Sequence, residues 1–165
     1  VDYPGYGKSG GSVPRNEDEL QMAGAALYDA ALAAEHGDER RIVVYGRSLG
    51  TAVATRLAAQ RNPAALVLET PFDSLRSLAQ RLFPWAPTFL IRYPFRSDLD
   101  AAKIRCPTLI LHGTADEVVP FAQGARLAKR IPQATFIAIH DGRHNDLSNF
   151  PTYWTAVTRF LTFPR

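Results

Sequence analysis

The stretch Gly46-Arg47-Ser48-Leu49-Gly50 constrains this chain more than any other. The apolar run Ile42-Val43-Val44-Tyr45 precedes it, and an alanine-rich segment from Thr51 to Ala59 follows. That pattern predicts a strand, a sharp turn and a helix, with the serine held on the turn. So tight a turn strains the backbone, and side chains two positions either way would collide with the adjoining strand and helix. Both of those positions are glycine. A turn serine without chemistry is the alternative.

The rest of the chain repeats the alternation. Asn16 is placed to cap a helix whose first turn, Glu17-Asp18-Glu19, is acidic and suits the positive end of a helix dipole. Gly37 ends it. A strand is predicted over Arg41–Tyr45, a helix over Leu49–Gln60, and strands over Ala65–Leu68, Thr108–Leu111 and Thr135–Ile139. Further helices are predicted over Phe121–Arg130 and Thr152–Leu161. Short strands that are apolar throughout and alternate with helices indicate an α/β fold with a mostly parallel sheet flanked by helices. Function in such sheets gathers at the carboxyl ends of the strands, where Ser48, Glu69, His112, Asp116 and His144 all fall.

Composition narrows the function classes. The 165 residues, 46% hydrophobic, suffice for one globular domain over residues 1–165. The net charge is only +3, and the arginines are scattered, with no basic run and no aromatic-interleaved stripe. Nucleic acid is therefore not an expected partner. The one cysteine, Cys106, cannot form an internal disulfide, and its place before Pro107 at a strand start suits a buried thiol. Metal-ligand spacing is absent, no cofactor is implied, and no apolar run reaches the ~18 residues of a spanning helix. A cytoplasmic location is favoured for this chain. Val1-Asp2-Tyr3 reads as the tail of a strand already under way, with no initiator Met, so an upstream part is expected. Any anchor or signal would lie there, and strands missing from this side would leave one sheet edge unpaired.

One stretch breaks the alternation. From Phe72 to Phe95 apolar residues recur at helical spacing and then crowd together, interrupted by Pro84, Pro87 and Pro94. A helical lid-like insertion over residues 72–100 would account for the excess aromatic surface. Phe72, Leu75, Trp85 and Phe89 are then the expected substrate-binding residues. An ordinary crossover helix with its core-facing stripe is the alternative.

A serine hydroxyl needs a base to take its proton, and the base needs a carboxylate to fix its tautomer. Of four histidines, His36 ends a helix, His112 closes a strand where local packing is expected, and His140 terminates the last strand. His144 lies in the polar loop Asp141-Gly142-Arg143-His144-Asn145-Asp146, where Gly142 gives freedom to turn the ring back over Ser48. Asp116, in His112-Gly113-Thr114-Ala115-Asp116, is the expected acid, with Glu69 second.

With these residues in place, the chain resembles the α/β-hydrolase superfamily over essentially its whole length. The resemblance rests on Asp2-Tyr3-Pro4-Gly5-Tyr6-Gly7-Lys8-Ser9, Gly46 to Gly50, Thr70-Pro71-Phe72-Asp73-Ser74-Leu75, His112 to Pro120 and Gly142 to Asp146, five segments in the right order. Pro4 and Thr51 depart from common residues of similar proteins without touching these three candidates. The order Ser…Asp…His is the one such enzymes show. The resemblance implies Ser48 as nucleophile, Asp116 as orienting acid, His144 as base and the Leu49 N–H as oxyanion donor. It also implies a second oxyanion donor on an earlier loop, upstream of Val1. The expected activity is that of a serine hydrolase cleaving a carboxylic ester or thioester of a small-molecule or acylated substrate. A prolyl-oligopeptidase-like peptidase and a non-catalytic binding module are the alternatives.

Overall fold

The computed structural model describes residues 3–5, 7–82, 85 and 93–162. Strands Val43–Arg47 (β1), Ala65–Glu69 (β2), Thr108–Gly113 (β3) and Ala134–Ile139 (β4) form one parallel sheet in the order β1-β2-β3-β4. The helices are Glu17–Ala34 (α1), Leu49–Gln60 (α2), Leu75–Leu82 (α3), Ser97–Asp100 (α4), Phe121–Ala128 (α5) and Pro151–Thr162 (α6). Asn16 caps α1 by accepting from the Glu19 N–H at 2.9 Å.

Strand alternation sorts the core into two layers. Leu66, Leu68 and Ile110 pack with Ala54 and Ala58 of α2 and Leu127 of α5. Val67, Leu109, Leu111 and Ile139 pack on the opposite side with Leu147 and Tyr153, the latter on α6. The sheet is thus covered on both faces, which explains why its inner strands read as continuous apolar runs. β1 is the outer strand among the described residues, and its Val43 and Tyr45 are about half exposed.

The bounds of β1 differ from the sequence expectation. The first strand starts later and ends later, at Val43–Arg47, because Asp38 accepts from the Arg40 N–H at 3.1 Å and opens a 3-10 turn over Glu39–Arg41. It therefore runs directly into Ser48. The stretch read as an insertion is described, Trp85 apart, only at its flanks. Phe72, Leu78 and Phe95 are buried with Leu20 of α1, Val53 of α2 and Val119, and Leu75 and Tyr93 pack on this cluster. Phe95 donates its N–H to Glu17 (2.9 Å) and Tyr93 its hydroxyl to the Pro14 carbonyl (3.2 Å). The flanks of the stretch are therefore fastened to the start of α1. Residues 83, 84 and 86–92, at its centre, lie outside the described residues.

Candidate active site

Ser48 stands between β1 and α2 with φ 49° and ψ −119°, a strained conformation for a residue bearing a Cβ. Gly46 makes the turn possible. A Cβ there would lie 2.6 Å from the Gly50 carbonyl oxygen and 2.7 Å from the Ala54 Cβ. Gly50 differs from the expectation: among the described residues its nearest neighbour would be the Tyr3 hydroxyl, at an ordinary 3.7 Å. The first flanking glycine answers a collision; the second does not.

The loops after β3 and β4 come together over Ser48. Their contact is backbone on backbone: the Ala115 N–H donates to the Gly142 carbonyl at 3.0 Å, and the Thr114 N–H to that of Ile139 at 3.0 Å. A Cβ on Gly113 would sit 2.0 Å from the Gly142 oxygen, and one on Gly142 would meet Leu147 at 2.7 Å. The left-handed turn of the second loop falls on Asp141 (φ 57°). Gly142 is thus needed for closeness rather than for the rotational freedom expected of it.

In this frame the Ser48 Oγ donates to His144 Nε2 at 2.9 Å. The other ring nitrogen, Nδ1–H, donates to Asp116 Oδ2 at 2.9 Å and lies 3.2 Å from Oδ1. Asp116 Oδ1 also accepts from the backbone N–H groups of Val118 (2.9 Å) and Val119 (2.8 Å). Behind it, His112 Nε2–H donates to the Val119 carbonyl at 2.9 Å and approaches Asp116 Oδ2 at 3.4 Å. Asp116 and His144 are both buried. Burial pushes the Asp116 carboxyl up, but hydrogen bonds from His112, His144 and the Val119 amide outweigh it and hold the acid below its ordinary range. It is therefore an anion beside the imidazole at neutral pH. Leu49 opens α2, where first-turn N–H groups have no intrahelical acceptor.

The remaining candidates fall elsewhere. Phe72 is buried in the core, Leu75 packs against the same cluster, Trp85 is exposed, and Phe89 lies outside the described residues. A groove of about 840 Å³ reaches Ser48 and is lined by residues of α1, β1 and α2, among them Leu20, Val43, Tyr45 and Leu49, together with Tyr3. Glu69, second choice for the acid, is buried and engaged by Tyr153, Tyr45 and Arg47 instead. Sequence reasoning missed Arg47 and Asn145. Strand alternation was the available signal, since it turns Tyr45 and Arg47 to one face of β1. Among the described residues no group of three or more His, Cys, Asp or Glu is arranged to hold a metal, and no helix is long and apolar enough to cross a membrane.

The sequence profile of the prolyl oligopeptidase family matches residues 21–150. The chain belongs to this family. It is thereby a member of the α/β-hydrolase superfamily, with the superfamily's parallel sheet and flanking helices. It is 35% identical to an uncharacterized protein of Mycobacterium tuberculosis over 98% of its length and 58% of the relative's. It is 36% identical to an α/β-hydrolase domain-containing protein of Arabidopsis thaliana, over 98% of this chain and 59% of that one. The chain thus spans less than two thirds of the length of these relatives. Among solved structures, an esterase of Pyrococcus furiosus has the same fold, with a TM-score of 0.76 at 22% identity over 98% of this chain and 67% of that chain.

Proposed function

We propose that this member of the prolyl oligopeptidase family is a serine hydrolase that cleaves a carboxylic ester or thioester through an acyl-enzyme on Ser48. The hydrogen-bonded sequence Ser48 Oγ to His144 Nε2 to Asp116, with 2.9 Å at each step, carries this reading. As the Ser48 Oγ attacks the acyl carbon, its proton passes to His144 Nε2, and Asp116 stabilises the imidazolium. The Leu49 N–H donates to the oxyanion of the tetrahedral intermediate, an interaction worth on the order of 10²–10³ in rate. The bond from carbon to the leaving oxygen or sulfur then breaks, and His144 returns the proton to that atom. A water molecule gives its proton to His144 and attacks the acyl-Ser48. As the second intermediate collapses, His144 passes that proton to the departing Ser48 Oγ, which frees the acid and the serine.

Two observations favour an ester with an apolar acyl group. Leu49, which follows the nucleophile, and Val118, near the acid, are both exposed apolar residues, and the Pyrococcus neighbour is an esterase. The family match favours a second reading, a peptidase. The test is fluorophosphonate labelling of the full-length protein, with hydrolysis of a p-nitrophenyl ester measured beside that of a peptide p-nitroanilide. Labelling and ester turnover are expected, and Ser48→Ala is expected to remove both, a loss of roughly 10⁶ in kcat. Faster turnover of the anilide would transfer the assignment to the peptidase. A folded protein that neither labels nor turns over either substrate would leave only a binding module.

A further inference from the structure

We propose that Arg47, the residue before the nucleophile, is a positioning residue that locks the His144 loop to the strand carrying Ser48. The proposal rests on the reading of Ser48, His144 and Asp116 as the catalytic set. Gly46 packs against α2, so alternation turns Tyr45 and Arg47 to the opposite face of β1. There Arg47 is the register partner of Glu69 on β2. The Glu69 side chain is 7% exposed. Its Oε1 lies 3.3 Å from Arg47 Nε, and its Oε2 accepts from the hydroxyls of Tyr153, at 3.0 Å, and Tyr45. Burial is the main cause that pushes both phenols upward, so both stay protonated donors across the working pH range. A buried carboxylate needs such partners, and here they hold it, and through it the guanidinium, in one place.

The far end of that guanidinium faces the base. One of its terminal NH₂ groups donates to Asn145 Oδ1 at 2.5 Å and lies 3.4 Å from the backbone carbonyl of His144. Arginine's planar fork therefore spans from the Glu69 side chain on β2 to Asn145, the residue next to His144 and 98 positions from Arg47 itself. The imidazole is aligned by Asp116 on one side. Its backbone is held by Arg47 on the other. A shift of the loop by about 1 Å would stretch the bond from Ser48 Oγ to His144 Nε2, and misplacement on that scale lowers rates by about 10²-fold.

Arg47→Met keeps the apolar stem and removes the donors; Arg47→Lys restores a charge without the fork. In the full-length protein, Arg47→Met is expected to lower kcat and the fluorophosphonate labelling rate by about 10–100-fold with KM changed less than about twofold. Arg47→Lys is expected to recover part of the loss. Asn145→Ala is expected to lower the labelling rate as well, and the double variant to be no slower than the worse single one, because both break one bridge. Normal rates in Arg47→Met, multiplicative losses in the double variant, or a rise in KM with kcat unchanged would each overturn the proposal. If the wild-type protein fails to label, or Ser48→Ala labels equally well, the catalytic reading itself falls and takes this one with it. Serine-dependent labelling with an unaffected Arg47→Met would refute the bridge alone.

Discussion

Gly113→Ala tests whether the loops carrying Asp116 and His144 are held by direct backbone contact. Gly113 ends β3, and its φ lies outside the left-handed region, so alanine is permitted there by conformation and opposed only by space. Its Cβ would stand 2.0 Å from the Gly142 oxygen, 2.4 Å from the Gly142 carbonyl carbon and 2.9 Å from Leu147 Cδ2. The two nearest atoms are backbone and cannot rotate away. The His144 loop must therefore retreat by about 1 Å, which breaks the bond from the Ala115 N–H to the Gly142 carbonyl and stretches the one from His144 to Asp116. Overpacking of this kind destabilises by about 1–3 kcal/mol. In a domain of this size that lowers Tm by about 2–12 °C. The displacement itself is expected to slow fluorophosphonate labelling by about 10²-fold. Thermal unfolding followed by circular dichroism, with labelling measured well below the transition, reads both effects. A variant with wild-type Tm and labelling within about threefold would show that the two loops are not packed as closely as the geometry requires.

The glycines flanking Ser48 should behave oppositely, although the motif treats them alike. Gly46→Ala is expected to lose about 1–3 kcal/mol in urea unfolding because its Cβ meets Gly50 and Ala54. Gly50→Ala is expected to be neutral or to gain up to about 1 kcal/mol, since it sits in the first turn of α2 and its Cβ would meet only the Tyr3 hydroxyl, at an ordinary van der Waals distance of 3.7 Å, among the described residues; equal losses at both positions would contradict this. Asp116 makes a pH-dependent contribution to stability. Its folded-state pKa is depressed, so the unfolded chain binds the proton first, and the contribution is full above about pH 4–5 and is lost as pH falls through the folded value. The stability gap between wild type and Asp116→Asn, measured from urea midpoints, is expected to shrink on acidification below about pH 4; a gap constant with pH would refute the depressed carboxyl.

Local chemistry made much of this protein legible in its sequence. The strand, turn and helix around Ser48 follow from an apolar run, a glycine and an alanine-rich helix, all within about five turns of chain. The acidic first turn of α1 and its Asn16 cap are likewise contacts between near neighbours. Strand boundaries slipped where a side chain competed for the backbone, as Asp38 does before β1.

The partners of each polar group were another matter. Glu69 and Asp116 are both carboxylates at strand ends; the sequence could rank them, but their partners, His144 for Asp116 and Tyr45, Tyr153 and Arg47 for Glu69, come from distant parts of the chain. The apolar spacing of Phe72, Leu78 and Phe95 suits a cap or a core equally; packing against Leu20 and Val53 put them in the core. Gly142 reads as a flexible hinge until Gly113 is seen against its carbonyl. By itself the sequence determined the four strands, the helices that alternate with them and the residue types at the strand ends, because periodicity and turn chemistry act over a few residues. Which of those residues face one another was decided only by tertiary structure, because burial and close backbone approach join positions that the chain keeps far apart.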